Sequence, residues 1–329
     1  MKIAIDAMGG DFAPKNEVDG AVEYLKQYKE HDIVLVGDSA TIHSHLNGFT
    51  SPRLTVEQAD QVITMKDSPS VALKEKKQSS MAIGLELQKK GEADAFVSAG
   101  NTGAQLAFSG LMLKRIKGVN RAGIGAFIPH PEGFTFLMDV GANADCKPVN
   151  LYQFAIMSDI MVRLMYNKQN PSIGLLSIGE EDSKGNELTL AANEMLREKS
   201  DHLNFYGNVE GRDVLLGETD IIICDGFTGN VVLKMAESVM KAIGVGLKKG
   251  IGKNPFSLLG GLMIKPAFNQ VKKIYDYQTY GGVPLLGVNG ISIICHGKST
   301  PLAIKNAILQ AVRMYEADVN TKIQDELNK

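Results

Sequence analysis

Eight short apolar runs recur along the chain with helix-length segments between them, and this alternation limits the possible folds more than any other feature. The runs are KIAIDA (2–7), DIVLVGD (32–38), DAFVSAG (94–100), IGAFIP (124–129), TFLMDVG (135–141), IGLLSIG (173–179), IIICDG (221–226) and ISIICHG (291–297). Most are nearly continuous in β-branched and other apolar residues, which suits strands covered on both faces. Helical patterns lie near 15–29, 70–90, 102–117, 149–168, 186–199, 229–249 and 301–327. This order predicts an α/β fold, a mostly parallel sheet covered by helices. The segment PHPEGFTFLMD (129–139) is too short for a crossover helix and reads as a hairpin, so one strand pair is expected to be antiparallel. The chain, 1–329, is expected to form a single α/β unit, or one made of two lobes.

The alternation breaks at 250–290. There NPFSLLGGLMIKPAF (254–268) carries Phe256, Leu258, Leu259, Leu262, Met263 and Ile264, with Lys248, Lys249, Lys253, Lys265, Lys272 and Lys273 on its flanks. It is too short to span a bilayer. Gly260, Gly261 and Pro266 all weaken an interior helix. From composition alone it reads as a core or dimer-contact segment within an excursion from the α/β body.

A net charge of −2 gives no global basic field, so nucleic acid is not an expected partner. Three cysteines, Cys146, Cys224 and Cys295, with no C-x-x-C spacing, argue for a reducing cytoplasm and against a disulfide framework or zinc site. The first strand is broken at Asp6 and does not read as a signal peptide, and no apolar run reaches spanning length. No metal and no cofactor is expected. The carboxylates Asp6, Asp11, Asp139 and Asp225 are the candidates to converge on a cation, though spacing does not require it.

Ligands of open α/β sheets bind outside the carboxyl ends of the strands. Six predicted strands end in glycine mixed with Asp, Asn, Ser, Thr or Lys: DAMGGDFAP, SAGNTGA, DVGANADCKP, GEEDSKGNEL, DGFTGNV and HGKST. Glycine lets backbone N–H groups approach an anion, and a following helix N-terminus adds a favourable partial charge. Five or six such turns, expected at one edge of the sheet, point to a phosphate-type ligand. Gly100, Asn101, Thr102 and Gly103 open one helix, and Thr228, Gly229 and Asn230 open another; each set reads equally well as a plain cap. Asp139, Asn143 and Lys147 share a polar loop, and Lys184 and Asn186 share a charged one. His296 is a candidate general base or a strand-end histidine bonded to backbone. Cys224 and Cys295 fall in apolar strands and read as core, whereas Cys146 beside Lys147 is the one cysteine whose neighbour could activate it. HGKST ends like a P-loop, but Ser292 stands where the first glycine is required, so an ATPase is rejected and Thr300-Pro301 reads as a helix start. No G-x-G-x-x-G follows the first strand, which weakens a dinucleotide reading.

IAIDAMGGDFAP, SAGNTGA, DVGANADCKP, IGEEDSKGNEL, DGFTGNVVLK and YGGVPLLGVNG occur in that order. Together they resemble the bacterial acyl-ACP:phosphate acyltransferases of the PlsX type, from residue 3 to about residue 310. The resemblance implies a homodimeric α/β/α body related to phosphotransacetylases and isocitrate dehydrogenases. It implies transfer of a fatty acyl group from acyl carrier protein to inorganic phosphate. The acyl phosphate would feed a membrane glycerol-3-phosphate acyltransferase in phospholipid synthesis. Phosphate is then the nucleophile, and no Ser-His-Asp triad is needed. In that setting Gly100, Asn101, Thr102, Gly103, Gly229 and Asn230 are candidates to cradle phosphate. Lys184 and Asn186 are candidates to polarise the carbonyl or help hold phosphate, and His296 or Asp139 to position a proton.

Acyl carrier protein is acidic and needs a basic landing patch. Lys114, Arg115, Lys117 and Arg121 in LKRIKGVNR (113–121) are the first candidate, with a solvated helix end as the plain reading, and the lysines around 248–273 are the second. The product is lipid-like, so 229–275 is expected to protrude as a helical hairpin whose tip dips Phe256, Leu258, Leu259, Leu262, Met263 and Ile264 into the membrane surface. The protein would be cytoplasmic and peripherally membrane-associated. Two rival readings stay open: an isocitrate-type dehydrogenase on the same fold, and a non-catalytic fatty-acid-binding carrier protein.

Overall fold

The computed structural model describes residues 1–199, 202–251, 255–275 and 277–328. Of the residues singled out above, Lys253 and the side chains of Lys248, Leu258, Lys272 and Lys273 lie outside the described residues. The elements run β1 (Lys2–Asp6), α1 (Lys15–Gln27), β2 (Asp32–Gly37), α2 (Ser39–Leu46), β3 (Leu54–Gln58), α3 (Pro69–Glu75), α4 (Ser80–Lys89), β4 (Ala95–Ser98), α5 (Thr102–Met112), β5 (Gly123–His130), β6 (Gly133–Met138) and α6 (Pro148–Tyr166). They continue through β7 (Ser172–Leu176), α7 (Glu187–Lys199), β8 (Asn204–Val209), α8 (Asp213–Leu216), β9 (Ile221–Ile223), α9 (Gly226–Ile251), α10 (Pro255–Ile274), β10 (Val283–Leu286), β11 (Ile291–Ile294), α11 (Pro301–Glu316) and α12 (Val319–Leu327).

The strands form one sheet in the order β3-β2-β1-β4-β11-β10-β5-β6-β9-β7-β8. The period-2 alternation of side chains builds a core on each face. Ile3, Ile5, Ile33, Leu35, Val97 and Ile293 pack with α1, α6, α11 and α12 on one side. Ala4, Val34, Phe96, Ile124, Ala126 and Ile294 pack with α4, α5 and the start of α9 on the other. The predicted α/β/α class is therefore observed, and all eight predicted strands lie in the sheet. Of the three unforeseen strands, two lack the apolar signal and one is masked by a proline. β3 (LTVEQ) is half exposed, β8 (NFYGNV) is polar, and β10 (VPLL) carries a proline.

The sheet reverses direction in its middle. β10 pairs antiparallel with both β11 and β5, and β5 pairs antiparallel with β6. Hence β1, β2, β3, β4, β11 and β5 point one way, and β10, β6, β9, β7 and β8 point the other. The expectation of one shared ligand edge is thereby corrected. The turns after β1, β4 and β11 lie at a first carboxyl edge, and those after β6, β9 and β7 at the opposite, second edge. Asp6 and Asp11 are thus separated from Asp139 and Asp225 and do not converge. Among the described residues, no group of three or more His, Cys, Asp or Glu is placed to hold a metal ion.

Three predicted helices change shape. The segment 70–90 is two helices, because Ser79 caps a second start, accepting from Ala82 N. The helix from Thr102 stops at Met112, and Lys114 takes a left-handed φ of 63°, so Lys114, Arg115, Lys117 and Arg121 sit in a loop and not on a helix end. The C-terminal helix breaks at Asp318, with φ 50°. The segment expected to be a poor helix is continuous as α10, with Pro266 inside it. Gly261 lets α10 approach α9 closely, since a Cβ there would overlap Ile251. The described apolar side chains of this stretch are not core: Phe256 is 88% and Met263 77% exposed. Among the described residues, no helix is long and apolar enough to cross a membrane.

Candidate active site

The reversal also makes a cleft. Parallel strands need crossover connections that cover the sheet, whereas hairpin partners do not. β5 joins β6, and β10 joins β11, through short turns. The face over β10 and β5 is therefore left bare between α5 and α9. A cavity of about 400 Å³ occupies the gap. Its floor is Ile124, Ala126, Val283 and Ile294; its walls are Thr102, Gly103 and Leu106 on α5, and Asn230, Leu233, Lys234 and Glu237 on α9. The turn Tyr280-Gly281-Gly282 and His296 close it at the first edge, and Gly141 borders it at the second. Gly281 has φ +81°, and a Cβ there would overlap the backbone of α11, so this wall needs glycine.

Of the candidate phosphate residues, Thr102, Gly103 and Asn230 line this cleft. Gly100 is buried behind it, packed near Asp6 and Ser98. The Asn101 side chain is fully engaged in holding its neighbours. Its Oδ1 accepts from Ala104 N at 3.0 Å, and its Nδ2 donates to the carbonyls of Thr64 at 3.1 Å and Asp67 at 2.9 Å. It caps α5 and ties down the 64–67 loop. Thr102 is exposed at the first turn of α5, where N–H groups lack intrahelical partners. His296 is exposed, and its Nδ1 accepts from Lys298 N at 3.0 Å, which leaves the proton of the neutral ring on Nε2.

The start of α9 is built differently. Asp225 caps it, accepting from Thr228 N at 2.9 Å and Thr228 Oγ1 at 2.8 Å. A Cβ at Gly229 would overlap the Asp139 carbonyl oxygen, so this glycine serves close packing of the helix onto the 139–143 turn and does not open to a ligand. Asp139 is fully buried, and its carboxylate accepts from the N–H groups of Ile124, Gly141, Ala142 and Asn143 and from Asn143 Nδ2. Burial raises its pKa, and the hydrogen bonds from Ala142, Asn143 and Ile124 oppose that shift. With both oxygens occupied, Asp139 organises the turn and is not set to carry a proton.

Lys184 and Asn186 lie on an exposed loop at the second edge and do not line the cleft. Asn186 caps α7, accepting from Thr189 N at 2.9 Å. The Lys184 carbonyl accepts from Ser177 Oγ at 3.1 Å, and the buried Asn208 donates to the Glu181 carbonyl at 2.9 Å, which pins the loop. β9 separates β6 from β7, so the Asp139 and Lys184 turns start about 10 Å apart.

Cys146 corrects its expectation: burial and the Asp139 charge push its thiol up to about 11, so it is no activated nucleophile. Cys224 and Cys295 are buried, as read. The basic loop is held by Gln153, whose Oε1 accepts from Asn120 N at 2.8 Å and whose Nε2 donates to Gly118 O at 2.8 Å. Its four cationic side chains stay exposed. Lys234, Tyr280, Gly281 and Gly282 were not foreseen as cleft residues. Lys234 lies four residues after Asn230 on one helix face, and that spacing is the signal that could have found it. Its Nζ donates to Glu237 at 2.9 Å.

Residues 1–322 match the model of a family described as fatty acid synthesis protein. A phosphate acyltransferase from Citrifermentans bemidjiense is 46% identical over 100% of this chain and 93% of its own. One from Clostridium novyi is 44% identical over 100% and 99%. A phosphotransacetylase structure from Streptococcus pyogenes shares the fold, with a TM-score of 0.66 at 18% identity over 96% of this chain and 94% of its own. A 4-hydroxythreonine-4-phosphate dehydrogenase from Klebsiella pneumoniae reaches 0.51 at 11% identity over 96% and 98%.

Proposed function

Because the chain belongs to the fatty acid synthesis protein family of PlsX-type phosphate acyltransferases, we propose that it moves a fatty acyl group from acyl carrier protein to inorganic phosphate and releases an acyl phosphate. The chain is an acyltransferase; the carrier-bound donor and the acyl-phosphate product are the proposal. The supporting observation is the cleft between α5 and α9. It joins a helix N-terminus, Lys234 and His296 to an apolar floor. A helix start favours an anion, and the ammonium of Lys234 exchanges its Glu237 partner for the anion.

A phosphate oxygen attacks the thioester carbonyl carbon, the carbonyl oxygen takes up negative charge, and collapse breaks the C–S bond. The thiolate leaves with the electron pair and takes the proton that the attacking hydrogen phosphate gives up. No protein nucleophile is required, so positioning and oxyanion stabilisation carry the rate. One well-placed oxyanion donor contributes roughly 3 kcal/mol. Thr102 with the first N–H groups of α5, together with Lys234, holds phosphate, and His296 Nε2 faces the developing charge. Lys184 and Asn186, on the exposed loop at the second edge, take no part in this arrangement.

Incubation with acyl-ACP and phosphate should yield acyl phosphate. Bound but unreacted lipid would instead favour a carrier, and reduction of NAD(P) with 2-hydroxy acids a dehydrogenase. Lys234→Met is expected to lower turnover by about 10²-fold without unfolding. If Lys184→Met does so and Lys234→Met does not, the chemistry belongs at the second edge.

Three further parts of the proposal rest on surfaces. The exposed loop with Lys114, Arg115, Lys117 and Arg121 docks the acidic carrier, so charge reversal there should raise its KM. The tip carrying Phe256, Leu259, Leu262, Met263 and Ile264, all exposed, attaches the protein reversibly to membrane, where the acyl phosphate meets a glycerol-3-phosphate acyltransferase. Replacing Phe256 and Leu259 by Glu should abolish vesicle flotation and spare activity in solution. A homodimer would present two tips.

A further inference from the structure

A second cavity, about 540 Å³, opens beside the catalytic cleft. It runs under the α9–α10 pair, and Phe127, Leu233 and Glu237 border both spaces. Its lining is dominated by apolar side chains, among them Ile128, Met240, Ile243, Phe268 and Val271. Glu237 stands at the junction with its charge directed to Lys234, which faces the cleft. From Leu233 to Gly244 the groove follows α9 for about 16 Å. An anion-holding cleft continuous with a long apolar groove matches one ligand chemistry, a small anionic or carbonyl head on a long alkyl tail.

We propose that this groove holds the tail of the acyl group and that Gly244 sets how long a tail is accepted. The inference rests on the acyl-transfer reading given above. Gly244 lines the groove, and a Cβ built on it meets nothing within 4 Å, so its side of the wall opens onto empty space. Glycine inside a helix is otherwise unfavourable by about 1 kcal/mol relative to alanine. Neither a left-handed backbone nor a close contact calls for it here. A bulky side chain at this position fills the far end of the groove and leaves the cleft unchanged. The first carbons of the tail pass Phe127, which stacks on Tyr280 at 5.0 Å between ring centroids and forms the wall at the junction.

The test titrates hexadecanoate and octanoate into the full chain by calorimetry and repeats it with Gly244→Phe. The unaltered protein should bind hexadecanoate at least about tenfold more tightly than octanoate. Gly244→Phe should remove most of that difference, with octanoate affinity changed by less than about twofold. Val271→Phe, which fills the groove from α10, should act in the same way. Transfer to phosphate is then measured with carrier-bound donors of both lengths, and the preference should shift toward the shorter one. Equal hexadecanoate affinity in all three proteins overturns the groove. So does a change of sedimenting mass without a change of chain-length preference, which would assign the groove to a second copy of the chain. If chain-length discrimination is seen but no donor yields acyl phosphate, the acyl-transfer reading fails and the groove stands as a lipid site.

Discussion

The two carboxyl edges of the sheet carry similar glycine-rich turns and use them for different purposes. At the first edge, the turn before α5 leaves Thr102 exposed at a helix start facing the cleft. A carboxyl behind it, Glu17, is 1% exposed, and its Oε2 makes no hydrogen bond among the described residues. At the second edge almost everything is consumed internally. Gly229 closes on Asp139, Asp225 caps α9, and five donors saturate Asp139. A glycine before a helix can make room for a ligand or for the protein's own backbone. The first edge keeps hydrogen-bonding capacity in reserve, and the second has the better-tied structure.

The largest test of that difference is Gly229→Ala. The new methyl meets a backbone oxygen that cannot rotate away, so a loss of about 3 kcal/mol or more is expected in urea unfolding. Gly103→Ala at the first edge meets side chains and no backbone, the Pro69 ring at 2.9 Å and Asn101 Oδ1 at 3.5 Å, and should cost about 1 kcal/mol. Equal losses would erase the distinction between the two edges. Asp139→Asn comes next. An amide nitrogen replaces one acceptor oxygen and faces N–H donors, leaving at least two of them unpartnered, for a loss of about 3 kcal/mol.

Much of this architecture was legible because buried strands and amphipathic helices write their periods into sequence. The first reversal was legible too, since eleven residues at 129–139 cannot hold a crossover helix. The second was not. β10 lies inside the region read as an excursion, and Pro284 masks it as a strand. Yet β10 lies between β11 and β5, which point the same way, so the hairpin at 129–139 alone turns the later strands. The single-edge expectation failed because the pairing of β9 and β7 onto β6, far apart in the chain, is not written in any local pattern. The site was half legible for a related reason. Asn101 and Asp139 look like ligand-binding residues until their partners are known, and those partners include Thr64 and Ile124, distant in the chain. Lys234 carries no turn or cap signal of its own; only its spacing of four from Asn230 on one helix face ties it to the site.

The buried carboxyl of the first edge gives a pH-dependent test. Burial, with the nearby Asp6 charge adding, pushes the Glu17 pKa from its ordinary 4.5 up to about 7. The folded state therefore binds a proton that the unfolded chain has released between those values. Stability from this group is full below about pH 4.5 and is lost as pH rises to about 7. Glu17→Gln removes a cost of about 3 kcal/mol at pH 8. It also buries an amide hydrogen without a partner, which returns about 1 kcal/mol. The net expectation is a gain of about 2 kcal/mol at pH 8 that becomes a small loss at pH 5. A pH-independent difference between variant and parent would show that Glu17 is solvated or paired and that the first edge holds no such reserve.

The smallest effect separates the two tasks of Asn101. Its oxygen caps α5, and its amide ties the 64–67 loop to the same edge. Asn101→Ser keeps a capping oxygen and loses the tether; Asn101→Ala loses both. The cap alone should be worth about 1 kcal/mol, so alanine should be less stable than serine by that amount. Met65 in the tethered loop lies close to Gly297, next to His296 of the cleft, so release of the loop should be felt at the site. Serine should then raise the KM for phosphate while keeping most of the stability, with alanine raising it no further. A serine variant with unchanged KM would make Asn101 a cap alone, and the first edge would then be organised by helix starts only, as the second edge is.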